Sequence, residues 1–143
     1  MTISKPNSIV VPVDFSTASI EAVGIALEMA QSADQVHVLY VVPDMRTEAD
    51  YVREAFSKSD SQAKARKELE AKLQDHDYAD VDVQIEEGDP SETIAVVAAR
   101  HKADLIVMPS HSRKGLPRLF LSSVANQVLR MAECPVLVLK HAK

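Results

Sequence analysis

The stretch IVVPVDFSTASIEAVGIALEMAQ, residues 9–31, decides the fold of this 143-residue chain. It opens with five apolar residues, Ile9 to Val13, all β-branched apart from Pro12. An unbroken run of this kind reads as a strand covered on both faces, and such strands belong to parallel sheets flanked by helices. Pro12 has no amide proton, so pairing is expected to stop there and hand over to a loop. Asp14 and Ser16 are N-cap residue types. Ala18, Ala22, Ile25, Ala26, Met29 and Ala30 then recur at helical spacing. Residues 9–31 are therefore strand, turn and helix.

The same alternation runs to the end of the chain. QVHVLYVV (35–42) is a second strand, ended by Pro43, and the polar, aperiodic residues 44–60 read as a loop, with or without a short helical turn. A helix is expected from Asp60 to about His76, with Ala65, Leu69 and Leu73 on one face and a solvated Lys/Glu face opposite. Val81 to Glu86 alternates strictly between apolar and polar, the pattern of an edge strand with one wet face. Gly88-Asp89-Pro90-Ser91-Glu92 is a helix start, with Asp as N-cap and Pro at the first helical position. That helix carries Ile94, Val97, Ala98 and His101 along one face, and a fourth strand follows from Asp104 to Met108. After a loop from Pro109 to about Leu121, a helix beginning near Ser122 or Ser123 carries Val124, Val128, Leu129 and Ala132. Pro135 to Lys140 is the fifth strand. The order is that of one α/β domain over residues 1–143, a doubly wound five-stranded parallel sheet with helices on both faces. Ligands of such sheets sit beyond the carboxyl ends of the strands, where strand order reverses. Pro12, Val13, Asp14, Val41, Val42, Gly88 and Met108 onward are the residues placed there.

Composition narrows the chemistry. Hydrophobic residues are 46% but aromatics only 4%, with no Trp, so the core is aliphatic and no stacking platform for single-stranded nucleic acid is available. A net charge of −5 repels nucleic acid and anionic lipid over long range. The local basic group Arg113, Lys114 and Arg118 suits a small anion better than a polymer. One cysteine, Cys134, excludes an internal disulfide and reads as a buried structural thiol. The amino terminus has no signal-peptide pattern and no apolar run approaches a membrane span, so a cytoplasmic protein is expected.

The catalytic and metal motifs are sparse. The five histidines show no short metal-ligand spacing, so no dedicated metal site is expected, and His37 reads as a packing or surface residue of its strand. No nucleophile-elbow sequence supports a serine triad. Glu86 and Glu87, being adjacent, point to opposite sides of a strand and cannot work as an acid–base pair. No catalytic residues are assigned.

PSHSRKGLPRLFLSSVANQVLRMAECPVLVLK (109–140) resembles the carboxyl-terminal signature of the universal stress protein family. VVPVDFS (10–16), VHVLYVV (36–42), GDPSETI (88–94) and ADLIVM (103–108) are similar to that family's other recurring blocks, in the same order. The resemblance implies a Rossmann-like sheet of order 3-2-1-4-5 in a cytosolic homodimer paired through the last strand, at Val136, Leu137, Val138 and Leu139. It implies an ATP or AMP site in which Asp14 and the backbone near Val41 hold adenosine, with Mg²⁺ accompanying any ATP. Asp14 is equally placed to cap the first helix, and His111 to be an exposed loop residue without duty. The family's phosphate loop runs Gly-x-x-Gly, nine residues, then Gly-Ser or Gly-Thr; here those three glycine positions are Pro109, Ser112 and Ser122, followed by Ser123. Candidate nucleotide contacts are thus Pro12, Val13, Asp14, Val41, Met108, Ser110, His111, Ser112, Arg113, Gly115, Ser122, Ser123 and Val124.

A phosphate loop works by aiming backbone amides at oxygens without a Cβ in the way. Pro109 has no amide to aim. Ser112, if left-handed, costs roughly 1–2 kcal/mol relative to glycine. Ser122 is the mildest change, because serine suits a helix N-cap and its hydroxyl can meet an anion. Two functions follow as expectations. One is a stress-response binding and signalling module whose adenine-nucleotide site is degenerate; the other is a nucleotide-sensing member that binds ATP or AMP and hydrolyses it slowly.

Overall fold

The computed structural model describes residues 5–43, 58–110 and 123–140. Its elements run β1 (Ile9–Val13), α1 (Thr17–Met29), β2 (Val36–Pro43), α2 (Lys58–Asp75), β3 (Asp82–Gly88), α3 (Pro90–Arg100), β4 (Leu105–Pro109), α4 (Ser123–Met131) and β5 (Val136–Leu139), with a 3-10 turn at Ala33–Gln35. The five strands are parallel and ordered β3-β2-β1-β4-β5. The expected strand order is therefore the observed one.

Each central strand is buried on both faces, and its side chains divide by alternation. Ile9, Val11, Val36, Val38, Leu105 and Val107 pack with Ile20, Val23 and Ala26 of α1 and with Leu69 and Leu73 of α2. Val10, Leu39, Ile106 and Met108 pack on the other side with Ile94, Val97 and Ala98 of α3 and with Ala125 and Val128 of α4. Right-handed crossovers force this division. The chain winds from β1 outward to β3 over one face, then returns to β4 and β5 over the other. Among the described residues, no helix is long and apolar enough to cross a membrane.

Local signals set the helix ends. Ser16 caps α1 by accepting a hydrogen bond from the Ser19 amide at 3.2 Å, and Asp89 caps α3 by accepting one from Glu92 at 3.0 Å. Gly88 enters α3 with φ of 146°, where a Cβ would also come within 2.9 Å of Thr93 Oγ1, so only glycine fits. At the far end of α3, Lys102 turns left-handed at φ 51° and the Ala103 amide reaches back to Ala98 O at 2.8 Å.

Three expectations need correction. Pro12 does not end the pairing of its strand with β2, since it lies opposite Leu39, and Val13 lies opposite Tyr40. Pro109 is the last residue of β4, opposite Leu139, and not the first residue of a loop. Leu129 is 44% exposed, because α4 turns Ala125 and Val128 to the core instead.

The charged helix α2 depends on two leucines. Among the described residues of α2, Leu69 and Leu73 are the buried contacts to the sheet, whereas the Arg66–Glu70 pair is exposed and long at 3.9 Å. Leu69→Ala is expected to cost about 2–5 kcal/mol, measured as a lower urea midpoint. A cost below about 1 kcal/mol would mean that α2 is not docked on the core.

Candidate functional site

β1 and β4 are neighbours at the centre of the sheet, yet their pairing runs only to Val10 and Ile106. Each strand continues with its outer neighbour, β1 with β2 as far as Val13 and β4 with β5 as far as Pro109. The two therefore part toward their carboxyl ends, and this is the point where strand order reverses. The Ser110 amide donates to Leu139 O at 2.8 Å, toward β5. By strand alternation the nitrogen of Pro109 faces β1, where the ladder has already ended.

The turn after β1 forms one wall of this crevice. Phe15 sits at φ of 68°, a left-handed conformation that costs a non-glycine residue roughly 1–2 kcal/mol, and its ring packs edge-on against Tyr40 at 4.8 Å. Buried Ser19 holds the turn closed: its hydroxyl donates to Ser16 O at 3.0 Å and accepts from the Asp14 amide at 3.2 Å. Asp14 Oδ1 in turn accepts from the Ser16 amide at 3.0 Å. The amides of Asp14, Ser16 and Ser19 are thus spent within the turn, while the Asp14 side chain stays exposed. An exposed carboxylate beside such a turn accepts from hydroxyls and amines and repels phosphate. Asp14 therefore braces the turn and also presents an acceptor at the mouth.

The sequence-predicted residues fall unevenly. Pro12, Val13 and Asp14 lie at the end of β1, and buried Val41 follows Tyr40, the partner of Val13. Met108, in β4, and Ser110, just after it, are both buried, and Ser123 and Val124 open α4. His111, Ser112, Arg113, Gly115 and Ser122 lie outside the described residues. Val136, Leu137, Val138 and Leu139 form half-buried β5 at the sheet edge. Cys134 is part-buried rather than fully buried as expected; burial, with the Asp104 charge adding to it, raises its thiol above the ordinary value.

A second polar cluster lies at the opposite, amino-terminal end of the sheet. Register places His37 opposite Asp82, and Nδ1 of His37 lies 2.7 Å from Asp82 Oδ2. Gln84, two residues along the same face, donates to Asp82 Oδ2 at 2.7 Å and also contacts His101 Nε2. His101 caps the carboxyl end of α3, and its ring stacks on that of His37 at 4.0 Å. The polar face of β3, expected to be wet, is instead part-buried under the end of α3, with Arg100 reaching Glu86 at 3.3 Å as well. Sequence spacing hid this cluster, because its members sit on three elements. The alternating polar face of β3 was the one available signal.

Burial opposes ionisation of Asp82, but hydrogen bonds from His37 and Gln84 outweigh it and hold the carboxyl below 3.8. Burial, then the nearby His37 charge, lowers His101 below 6.5, with Asp82 opposing and Arg100 reinforcing the effect.

The comparisons with known proteins agree with one another. A model described as the universal stress protein family matches residues 6–140. A universal stress protein of Methanocaldococcus jannaschii is 36% identical, covering 96% of this chain and 84% of its own length. The solved structure of another universal stress protein of that organism superposes with a TM-score of 0.80 at 26% identity, covering 99% of both chains. A universal stress protein family protein from Arabidopsis thaliana, solved with AMP bound, is 20% identical with a TM-score of 0.56 over 96% and 94% of the two chains, a likeness of fold.

The pH dependence of stability follows from His101. Its depressed value means that the unfolded chain takes up a proton near 6.5 before the folded chain does. Stability is expected to be level above that pH and to fall as pH drops through it, with a further loss below 3.8 as Asp82 protonates. Urea midpoints across this range check the sign, and His101→Asn should flatten the upper step. A midpoint that rises on acidification through pH 6 would contradict the assignment.

Proposed function

Because the chain belongs to the universal stress protein family, we propose that it is a homodimeric stress-response binding module of the cytoplasm that acts through partner contacts rather than catalysis. Its adenine-nucleotide site is weakened. The observation that carries this reading is Pro109. It stands where the family's loop begins with glycine, at the end of β4, and offers no amide proton toward the crevice. Ser112 and Ser122 replace the other two glycines, so hydroxyls stand in for amides with poorer preorganisation.

Asp14 favours a second reading, in which the chain senses ATP or AMP and hydrolyses ATP slowly, with Mg²⁺ bound alongside. Its exposed carboxylate is an acceptor suited to a ribose hydroxyl or an adenine amine, and a family member from Arabidopsis thaliana has been solved with AMP bound. Both readings put adenosine near Asp14 and Val41. They differ in what holds the phosphates.

Mass spectrometry of the purified, denatured protein is expected to release no stoichiometric nucleotide, and stoichiometric ATP would favour the second reading instead. In titration calorimetry, restoring glycine at Pro109, Ser112 and Ser122 together should tighten AMP or ATP binding at least about tenfold, or 1.4 kcal/mol. No gain would mean that the pocket fails elsewhere.

The dimer is proposed to form through β5, whose outer edge is a short aliphatic ladder of Val136 to Leu139 that invites a second copy. Light scattering after size exclusion is expected to give twice the 15.7 kDa chain mass. A monomer at micromolar concentration would remove this part of the proposal.

A further inference from the structure

His37, Asp82 and His101 each present one ligand atom at the amino-terminal end of the sheet, and these atoms lie within 4.8 Å of one another. We propose that the three residues form a binding site for a divalent cation of the zinc or copper type, held by two imidazoles and one carboxylate. This donor set suits borderline cations and leaves coordination positions for water. It is remote from the carboxyl-end crevice, and it does not depend on what that crevice binds.

The positions are built by the fold. His37 and Asp82 are direct partners across β2 and β3. His101 is fixed by the end of α3, where its backbone amide closes the last turn onto Val97 O at 3.0 Å. The carboxyl end of a helix favours positive charge, so the main chain there adds to the attraction. Arg100, whose charge acts on His101, is turned toward Glu86.

Gln84 shows where a cation fits. Its Nε2 donates to Asp82 Oδ2 at 2.7 Å and contacts His101 Nε2, so acceptors from two of the three residues converge on one weakly positive NH₂ group. A cation in that place would meet the same lone pairs with a full charge, and Gln84 could turn its carbonyl oxygen inward as a further ligand. Burial keeps His101 toward its neutral form, which is the form that ligates. Entry is open, since the Asp82 side chain is 40% exposed.

Binding requires one rearrangement. The imidazoles are stacked 17° from parallel, so their in-plane lone pairs do not meet at a point. One ring must turn about χ2, and the Gln84 amide must move aside. The His37 side chain is only 14% exposed and is paired with Asp82, so His101, at a helix end, is the ring proposed to turn. The bound ion would then tie the edge strand β3 to β2 and α3.

The test uses the full chain stripped with chelator and titrated with Zn²⁺ by calorimetry at neutral pH. One Zn²⁺ per chain is expected, with affinity falling as pH drops through the histidine range. His37→Ala with His101→Ala should weaken binding at least about tenfold, and Cys134→Ser should not change it. Co²⁺ should give visible d–d bands without a thiolate charge-transfer band. Should the double variant fail to fold, NMR of the wild-type histidine rings decides: Zn²⁺ should move His37 and His101 and leave His76 in place. Absence of binding, unchanged affinity in a folded double variant, a thiolate band, or shifts confined to other histidines would each overturn the proposal.

Discussion

β1 and β4 stop pairing at Val10 and Ile106, while each goes on pairing with its outer neighbour. Both strands are nonetheless buried on both faces along most of their length: Val10, Val11, Ile106 and Val107 are fully buried, and Val13 and Met108 almost so. The helices follow from the same constraint, because an aliphatic sheet with two apolar faces must be covered twice. Loss of either layer would expose several side chains worth roughly 1.5–3 kcal/mol each.

The divergence gives the turn after β1 its unusual shape. Asp14 leaves the strand, Phe15 swings to positive φ, and Ser16 must still cap α1. A strained residue persists only where its surroundings over-determine it. Here the Phe15–Tyr40 contact and the Ser19 hydroxyl bridge do so. The turn therefore holds Asp14 at the surface in a defined place.

Much of the fold is legible in the residues because periodicity and caps agree. Ile9–Val13, the Asp89-Pro90 helix start and the edge character of β3 all follow from local pattern. The prolines are harder to read. Pattern alone places Pro12 at the end of pairing, but a proline removes a donor on one side only, and a strand in a sheet has two sides. The histidine cluster is harder still. His37 and Asp82 lie 45 residues apart and meet only once the register of β2 and β3 is known. Of the candidate site, the strand ends are where spacing puts them, whereas His111 to Ser122 belong to a stretch outside the described residues.

Pro109 brings the two levels together. A proline inside a central strand normally costs a ladder hydrogen bond, and β4 is central. This one costs none, because Ser110 keeps the bond to Leu139 on the β5 side and the β1 side has no pairing left to lose. The fold is therefore indifferent to Pro109. An anion in the crevice would not be, since it would meet a Cδ where a glycine would offer an amide. On the proposed function, such a change would bear on ligand affinity rather than on folding.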